Sequence, residues 1–209
     1  MSEPSAEHNA IPAAKPHRHP TLEQVRAEIG DCRRCPLAET RTQIVFGVGA
    51  PHARVMFIGE APGRNEDLKG EPFVGAAGHK LDALLSEAGL TRDEVFIANI
   101  LKCRPPQNRD PRPEEIEVCT PYLRDQLRAV WPDVIVTLGK YATQFVLHTD
   151  RGITGLRGKL YRAGHFIVLP IFHPAAAIYD PTKNDLLVQD FQLLGRTLAE
   201  LDAQGEGQR

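Results

Sequence analysis

The chain has 209 residues, of which 42% are hydrophobic and 25% charged, and its formal net charge is −2. This length suits one domain with a sizeable hydrophobic core, and the composition is that of a globular protein. No apolar run approaches the ~20 residues of a membrane-spanning helix, and a charge this small excludes a polycation that binds nucleic acid over its whole surface.

The N-terminal stretch MSEPSAEHNAIPAAKPHRHP has no continuous apolar segment of the kind that a secretory signal carries. We therefore expect residues 1–20 to be a flexible arm and the protein to be cytoplasmic, where thiols stay reduced. Residues 21–202 are predicted to form a single domain, and residues 203–209 a flexible tail.

Helical and strand patterns alternate along the chain. A capping box at Thr21–Gln24 opens the first predicted helix, and Gly89 is placed to end the second. The predicted strands are short apolar runs without polar alternation, as expected for a sheet covered on both faces. In chain order the predicted elements are a helix at 21–30, a strand at 54–59, a helix at 76–89, a strand at 94–100, a helix at 112–130, a strand at 133–139, a helix at 140–147, a strand at 165–173 and a helix at 183–201.

This alternation predicts a three-layer α/β fold, in which helices flank a central, mostly parallel sheet of four strands. In such folds ligands bind at the carboxyl ends of the strands. Three polar or glycine-containing segments start at these ends, namely GEAPGRNED after the first strand, NILKCRPP at the second and FHPAA after the fourth. We therefore expect these segments to converge in space.

The four cysteines are a close pair, Cys32 and Cys35, followed far downstream by Cys103 and Cys119. Buried free thiols, a redox dithiol and disulfides are the alternatives to a metal site, but a redox dithiol leaves two cysteines unexplained and a reduced compartment disfavours disulfides. The pattern therefore favours one site with four thiolate ligands. Thiolates alone do not separate an iron–sulfur cluster from zinc.

Two stretches of the chain are basic. Residues 151–178 contain no Asp or Glu, although four basic residues lie among them, and a second basic group surrounds the third cysteine. Such charges are often only solvated surface, but two acid-poor stretches favour a face that meets an anion such as nucleic acid. The two groups are Arg151, Arg157, Lys159 and Arg162, and Lys102, Arg104, Arg109 and Arg112.

The glycine-containing loop after the first strand matches neither a dinucleotide-binding fingerprint nor a P-loop. It contains the carboxylate of Glu60, followed by small residues that let the backbone approach a ligand closely. Phe73 in this region and His173 at the end of the fourth strand are candidates for a site, although core packing is the common role of such residues.

Four segments together carry a family pattern: GEAPG at 59–63, EPFVGAAG at 71–78, NILKCRPPQNR at 99–109 and FHPA at 172–175. With the cysteine spacing, they resemble the family 4 uracil-DNA glycosylases, the iron–sulfur members of their superfamily. The resemblance covers residues 21–201. It implies a monofunctional DNA repair enzyme that flips uracil out of single- or double-stranded DNA, hydrolyses its N-glycosidic bond and leaves an abasic site. It also implies a monomer that does not act on membranes.

The resemblance also implies roles for individual residues. A [4Fe–4S] cluster would be held by Cys32, Cys35, Cys103 and Cys119. Gly59, Glu60, Ala61 and Pro62 would form the floor of the uracil pocket, with Phe73 stacked on the base, Asn99 reading its polar edge and His173 facing its O2. Glu60, Glu66 and His173 would be the catalytic residues, and Asn108 and Arg109 would lie on a loop shared by the pocket and the DNA.

The chain departs from the wider superfamily in one respect that matters for mechanism. The classical uracil-DNA glycosylases have a water-activating aspartate where this chain has Ala61, as the family 4 pattern permits. A related branch that traps itself covalently on DNA carries a histidine after the second strand. This chain has PPQNRDPRPEE there, which argues against covalent trapping.

Two other functions are compatible with parts of the sequence. A zinc-stapled nucleic-acid binding module without catalysis would use the cysteines and the basic stretches, but would leave Phe73, Asn99 and His173 without a joint role. A small nucleotide-processing hydrolase would use Glu60 and His173 on free nucleotides.

Overall fold

A computed structural model of the protein describes residues 19–206, with side chains described through residue 204. The predicted arm at residues 1–20 lies outside the described residues except for its last two. The last helix continues to Glu206, four residues beyond the predicted end of the domain, so the described part of the predicted tail is helical. No helix within the described residues is long and apolar enough to cross a bilayer.

Within residues 19–206, the central sheet has six strands in the order β1-β3-β2-β4-β6-β5. The predicted parallel strands are β2, β3, β4 and β6, and β1 and β5 pair antiparallel to them at the two edges. The prediction of four strands is therefore wrong by two, because the edge strands have only two and three residues and show no apolar run. The strands are β1 Val48–Gly49, β2 Val55–Gly59, β3 Phe96–Asn99, β4 Val134–Leu138, β5 Tyr161–Ala163 and β6 Phe166–Ile171.

Helices cover both faces of the sheet. In the described part of the chain the five predicted helices are confirmed with small shifts at their ends, and four short α-helices that the sequence pattern did not indicate join them. The capping box at Thr21 is present, and the second predicted helix finishes as a 3₁₀ turn before Gly89. The helices are α1 Leu22–Ile29, α2 Leu37–Thr40, α3 Arg64–Lys69, α4 Ala76–Leu85, α5 Pro113–Val130, α6 Lys140–Leu147, α7 Ile153–Leu156, α8 Ala176–Tyr179 and α9 Lys183–Glu206.

Two hydrophobic clusters lie on opposite faces of the sheet, because successive strand residues point to opposite sides. Met56 and Ile58 belong to the cluster that includes residues of α1 and α5, whereas Val55 and Phe57 belong to the one that includes residues of α4 and α9. Every residue of β2 and β4 is buried. This three-layer arrangement explains the uninterrupted apolar runs of the predicted strands.

The register of the parallel strands fixes what meets at their carboxyl ends. Gly59 at the end of β2 lies opposite Asn99 at the end of β3, and Leu138 of β4 lies opposite Ile171 of β6. The segments that follow these four strands therefore leave the sheet along one edge, as the sequence predicts.

Candidate active site

A cavity of about 430 Å³ opens at this edge of the sheet. The β2–α3 loop, the end of β3, the loop after Cys103 and the segment after β6 all contribute to its wall. Its lining residues are Glu60, Ala61, Pro62, Gly63, Glu66, Phe73, Ala77, Asn99, Pro105, Asn108, Arg109, His173 and Ala175. The structure thus brings together all the predicted pocket residues except Gly59, which lies directly behind two of them.

Gly59 and Gly78 allow Phe73 to occupy the cavity wall. A Cβ at position 59 would lie 2.3 Å from Asn99 Oδ1 and 2.8 Å from Phe73 Cζ, and one at position 78 would lie 1.8 Å from the Phe73 carbonyl oxygen. Phe73 itself has a φ of 54°, a left-handed conformation that is strained for a bulky residue. Strain of this kind persists where the surrounding structure fixes it, and it is typical of functional sites.

The amide of Asn99 faces a cavity from the last position of β3, where the residue is 2% exposed. Its backbone carbonyl accepts a hydrogen bond of 2.7 Å from the ammonium group of Lys102. Among the described residues, none hydrogen-bonds the Asn99 side chain, so both its donor and its acceptor are available to a ligand.

His173 is neutral, with its proton on a defined nitrogen. The surrounding protein keeps water from the charged ring and lowers the pKa of His173 to about 4. The backbone N–H of Ala175 donates to Nδ1 at 3.2 Å, so Nδ1 is unprotonated and the neutral ring carries its proton on Nε2. The ring stacks on Phe73 with centroids 5.5 Å apart.

Glu60 differs from an ordinary surface carboxylate. Burial, followed by the negative charge of Asp110, raises the pKa of Glu60 to about 7. Asp110 in turn accepts a hydrogen bond from the Tyr141 hydroxyl, and this bond with burial raises the pKa of Tyr141 to about 12. A carboxyl group with a pKa near neutrality in a cavity is typical of a catalytic site.

Glu66 fixes the turn that follows Phe73. Its Oε1 accepts the backbone N–H groups of Val74 at 3.0 Å and Gly75 at 2.9 Å. The same carboxylate lines the cavity and acts electrostatically on His173. Glu66 therefore holds the segment that carries the aromatic ring while remaining near the imidazole.

Several residues of the two basic stretches have partners inside the protein. Lys102 is 1% exposed, and its ammonium donates to the Asn99 carbonyl and to Gln126 Oε1 at 2.6 Å. Arg109 pairs with Glu115, and Arg157 pairs with the buried Asp190. Three of the eight basic residues in the two stretches therefore pair with groups inside the protein.

The four cysteines lie together, one of them within α5, and none of them lines this cavity. All four line a second, much smaller cavity, together with Arg41 and Tyr122. Three donors reach the sulfurs: an Arg41 N–H to Cys103 Sγ at 3.6 Å, the Lys102 backbone N–H to Cys119 Sγ at 3.3 Å and the Tyr122 hydroxyl to Cys32 Sγ at 3.5 Å. Within the described part of the chain, no three His, Cys, Asp or Glu side chains are arranged to hold a single metal ion.

Sequence reasoning missed four residues that shape the site, namely Lys102 as an internal donor, Asp110, Glu115 and Tyr141. A lysine between apolar Leu101 and Cys103 at a strand end was the one available signal. The other three act through contacts that depend on how the loop after Cys103 folds against α5 and α6.

The chain is similar in sequence to several known proteins. The profile of the Uracil DNA glycosylase superfamily matches residues 46–197. A type-4 uracil-DNA glycosylase from Archaeoglobus fulgidus is 48% identical over 183 residues, which cover 84% of this chain and 92% of that protein. A type-4 enzyme from Thermotoga maritima is 43% identical over 160 residues, covering 76% and 83%. A type-5 uracil-DNA glycosylase from Pyrobaculum aerophilum is 31% identical over 201 residues, covering 88% and 84%.

The chain belongs to the uracil-DNA glycosylase superfamily and, within it, to the type-4 family. The resemblance seen in the sequence is thereby confirmed, and with it the α/β fold class.

Proposed function

We infer that the protein excises uracil from DNA by hydrolysing the N-glycosidic bond, leaving an abasic site. The observation that carries this inference is the convergence of Phe73, Asn99 and His173, from three separate chain segments, on one cavity. These residues supply an aromatic face, a two-sided amide and a neutral imidazole donor, which together match the chemistry of a pyrimidine with two carbonyl groups.

Recognition of the base follows from stacking and hydrogen bonding. The ring of Phe73 would stack on the extruded base, a contact worth about 1–3 kcal/mol per base. The Asn99 amide can accept from N3–H and donate to O4 of uracil. Cytosine presents an amino group and an unprotonated N3 instead, so it would leave buried polar groups unpaired, and such mismatches discriminate strongly.

Bond cleavage leaves negative charge on the departing uracil and positive charge on the sugar. The Nε2–H of neutral His173 would donate to O2, where the negative charge develops. The carboxylates of Glu60 and Glu66, which line the same cavity, would stabilise the sugar cation and position the attacking water. Ala61 stands where the classical enzymes have their water-activating aspartate. Ionised Glu60 is therefore our candidate for the residue that positions the attacking water.

Access to the glycosidic bond requires the nucleotide to swing out of the stack, which costs a few kcal/mol. On α8, beside the cavity residue Ala175, Ile178 and Tyr179 are 46% and 88% exposed, which suits side chains that enter the vacated space. Exposed cations next to the carboxyl ends of the strands, Arg64, Lys140 and Lys159, would contact phosphates. Arg104 and Asn108 lie on the loop that would face the same DNA. We propose that the protein acts on this DNA as a monomer.

We propose further that the four cysteines hold a [4Fe–4S] cluster. The residues fit such a group, because four thiols line one cavity and receive donors from Arg41, Lys102 and Tyr122, as cluster sulfurs commonly do. When bound, the cluster would cross-link three parts of the chain. These are the segment after α1 with Cys32 and Cys35, the segment after β3 with Cys103, and α5 with Cys119. No step of the reaction uses it.

An oligonucleotide with a single uracil tests the proposed activity. After incubation with the protein, alkali should cut the strand at the abasic site, and matched strands with cytosine or thymine at that position should stay intact. An uncut uracil strand would overturn the proposal, and equal cutting of all three strands would overturn the assigned specificity.

Metal content distinguishes an iron–sulfur glycosylase from the alternative of a zinc-stapled binding module, which the known relatives do not favour. The purified protein should contain about four iron and four sulfide ions per chain. One zinc ion per chain, together with no cleavage of the uracil strand, would instead support a binding module.

A further inference from the structure

The loop at residues 104–112 forms one wall of the cavity and has an unusual backbone. Gln107 and Asn108 both have positive φ angles, 57° and 54°, in consecutive positions. Such conformations cost free energy in residues other than glycine and persist only where neighbouring contacts fix them. Asn108 lines the cavity, so the contacts that fix this loop also fix one side of the site.

The strongest of these contacts joins Arg109 to Glu115 in the first turn of α5. Both terminal nitrogens of the guanidinium donate to the carboxylate, Nη1 to Oε2 at 2.9 Å and Nη2 to Oε1 at 2.5 Å. Nη1 also donates to the carbonyl of Asp110 at 2.9 Å. The arginine thus ties the loop to the helix through a two-pronged pair and also closes the loop on itself.

Glu115 is well placed to be the fixed partner. Its side chain is 1% exposed, whereas that of Arg109 is 30% exposed. Glu115 Oε2 also accepts the backbone N–H of Arg112 at 2.9 Å, which caps the start of α5. A buried carboxylate on a helix start is a rigid anchor, and separating it from its arginine would leave the charge unpaired.

Two neighbouring contacts act in the same direction. Arg104 Nε donates to Asn108 Oδ1 at 2.7 Å, which turns the donor side of that amide away from Arg104. The Tyr141 hydroxyl donates to Asp110, which ties the loop to α6. Asn108 is therefore held by Arg104, and Asp110, two residues further on, is held by Tyr141 of α6.

We infer that Arg109 is a positioning residue, which holds the Asn108 wall of the cavity through Glu115 and does not contact DNA phosphate. The inference rests on the proposed excision of uracil. It assigns a role to Glu115, which touches no part of the cavity, and it gives Arg109 a role opposite to that of an ordinary basic residue on a DNA-facing loop.

The two roles predict opposite results for the partner variant. If Arg109 held a phosphate, Glu115→Gln would free the guanidinium for that phosphate and leave the cleavage rate unchanged or higher. If Arg109 positions the loop, Glu115→Gln and Arg109→Met should produce the same defect, because each breaks the same pair. The double variant should then be no worse than the poorer single variant.

The experiment compares Arg109→Met, Glu115→Gln and the double variant in single-turnover cleavage of a uracil-containing strand. Affinity for a uracil-free strand is measured over a range of salt concentrations. We expect each single variant to cleave about tenfold more slowly, with affinity and salt dependence unchanged. Loss of a phosphate contact would instead make the slope of log K against log salt shallower by about one.

A matched control lies on the same helix. Arg128 and Asp125 also form an arginine–carboxylate pair on α5, and Arg128 is 57% exposed. Arg128→Met and Asp125→Asn should leave cleavage and binding unchanged. Iron content and the thermal midpoint of each variant show whether it is folded, and if Glu115→Gln does not fold, the salt slope and cleavage rate of Arg109→Met decide alone.

A shallower salt slope in Arg109→Met, or wild-type cleavage by that variant, would overturn the inference. So would wild-type cleavage by a folded Glu115→Gln variant. These outcomes differ from failure of the proposed function itself, in which the unmodified protein would not cleave the uracil strand.

Discussion

At the scale of single residues, the protonation states of His173 and Glu60 determine what the site can do. A histidine with a pKa of about 4 is uncharged throughout the physiological range, so in the proposed reaction it would act as a hydrogen-bond donor and not as a cation. Glu60 changes its charge near neutral pH, since its pKa is about 7. The pH dependence of the reaction should therefore report Glu60 and not His173.

If ionised Glu60 is required, the single-turnover rate should rise about tenfold per pH unit below pH 7 and level off above it. Glu60→Gln should be slow and should lose this rise. Asp110→Asn should move the rise to lower pH, because it removes the second cause of the raised pKa. A rate that is independent of pH between 5 and 8 in the unmodified protein would contradict the role given to Glu60.

The same raised pKa affects stability in the opposite direction. Between pH 4.5 and about 7 the folded protein binds more protons at Glu60 than the unfolded chain does, so this group's contribution to stability is lost as the pH rises through that window. Urea unfolding should show Glu60→Gln gaining stability relative to the unmodified protein between pH 4.5 and pH 8. A constant difference between the two proteins would contradict the assigned pKa.

Removal of the base-reading groups should reduce catalysis without unfolding the protein. Asn99→Ala and His173→Ala should each lower single-turnover cleavage of uracil by well over tenfold, because each removes a hydrogen bond to the departing base. His165→Ala is the control, since that ring stacks on Trp131 at 5.0 Å, at the start of β6 and away from the site. Unchanged rates in both site variants would reject the pocket.

At the scale of structural elements, the four parallel strands could be predicted from the sequence. The side-chain pairs that anchor the loops around the site could not. The apolar runs of β2, β3, β4 and β6 predict a covered sheet, and the sheet then places Gly59 opposite Asn99 at one edge. Strands β1 and β5 are too short to give a pattern. The anchoring pairs depend on side chains from different elements, such as Tyr141 with Asp110, and nothing in the local sequence indicates them.

Lys102 belongs to this second group and links the site to the cysteines. Its ammonium holds the Asn99 carbonyl, and its backbone N–H donates to Cys119 Sγ. Burial lowers the pKa of Lys102 to about 8. One buried residue thus contacts both Asn99, the proposed base-reading residue, and a proposed cluster ligand.

We expect Lys102→Met to lower the free energy of unfolding by about 2–4 kcal/mol, because it leaves the Asn99 carbonyl and Gln126 Oε1 without their donor. Uracil cleavage should fall as well, since Asn99 loses its support. Urea unfolding measures the first effect, with Lys69→Met, an exposed lysine at the end of α3, as the control. Equal stability of the two variants would contradict the internal role of Lys102.

At the scale of the whole molecule, one continuous segment, from Asn99 to Cys119, joins the cavity to the proposed cluster. Cys103 lies four residues after Asn99. Cys119 lies within α5, whose first turn contains Glu115. A cross-link among the four cysteines would therefore fix the loop between Cys103 and α5 at both of its ends. The fold class and the convergence of the segments after β2, β3 and β6 could be predicted from the sequence. The pairing of basic residues with groups inside the protein could not.

The role of the cysteines as one structural unit is tested by Cys103→Ala. We expect this variant to lose its iron and to unfold at a lower temperature, because three thiolates and a methyl group do not complete a four-ligand site. Iron content and the thermal midpoint are measured on the same preparation. Full stability and full activity without iron would contradict a structural role.

The central claim is that the turns after β2, β3 and β6 form a single pocket for an extruded uracil. A crystal structure of the protein with uracil tests it most directly. We predict that the base stacks on Phe73, pairs through N3–H and O4 with the Asn99 amide and accepts at O2 from His173 Nε2–H. Uracil bound elsewhere, or in this cavity without contacts to Asn99 and His173, would contradict the claim.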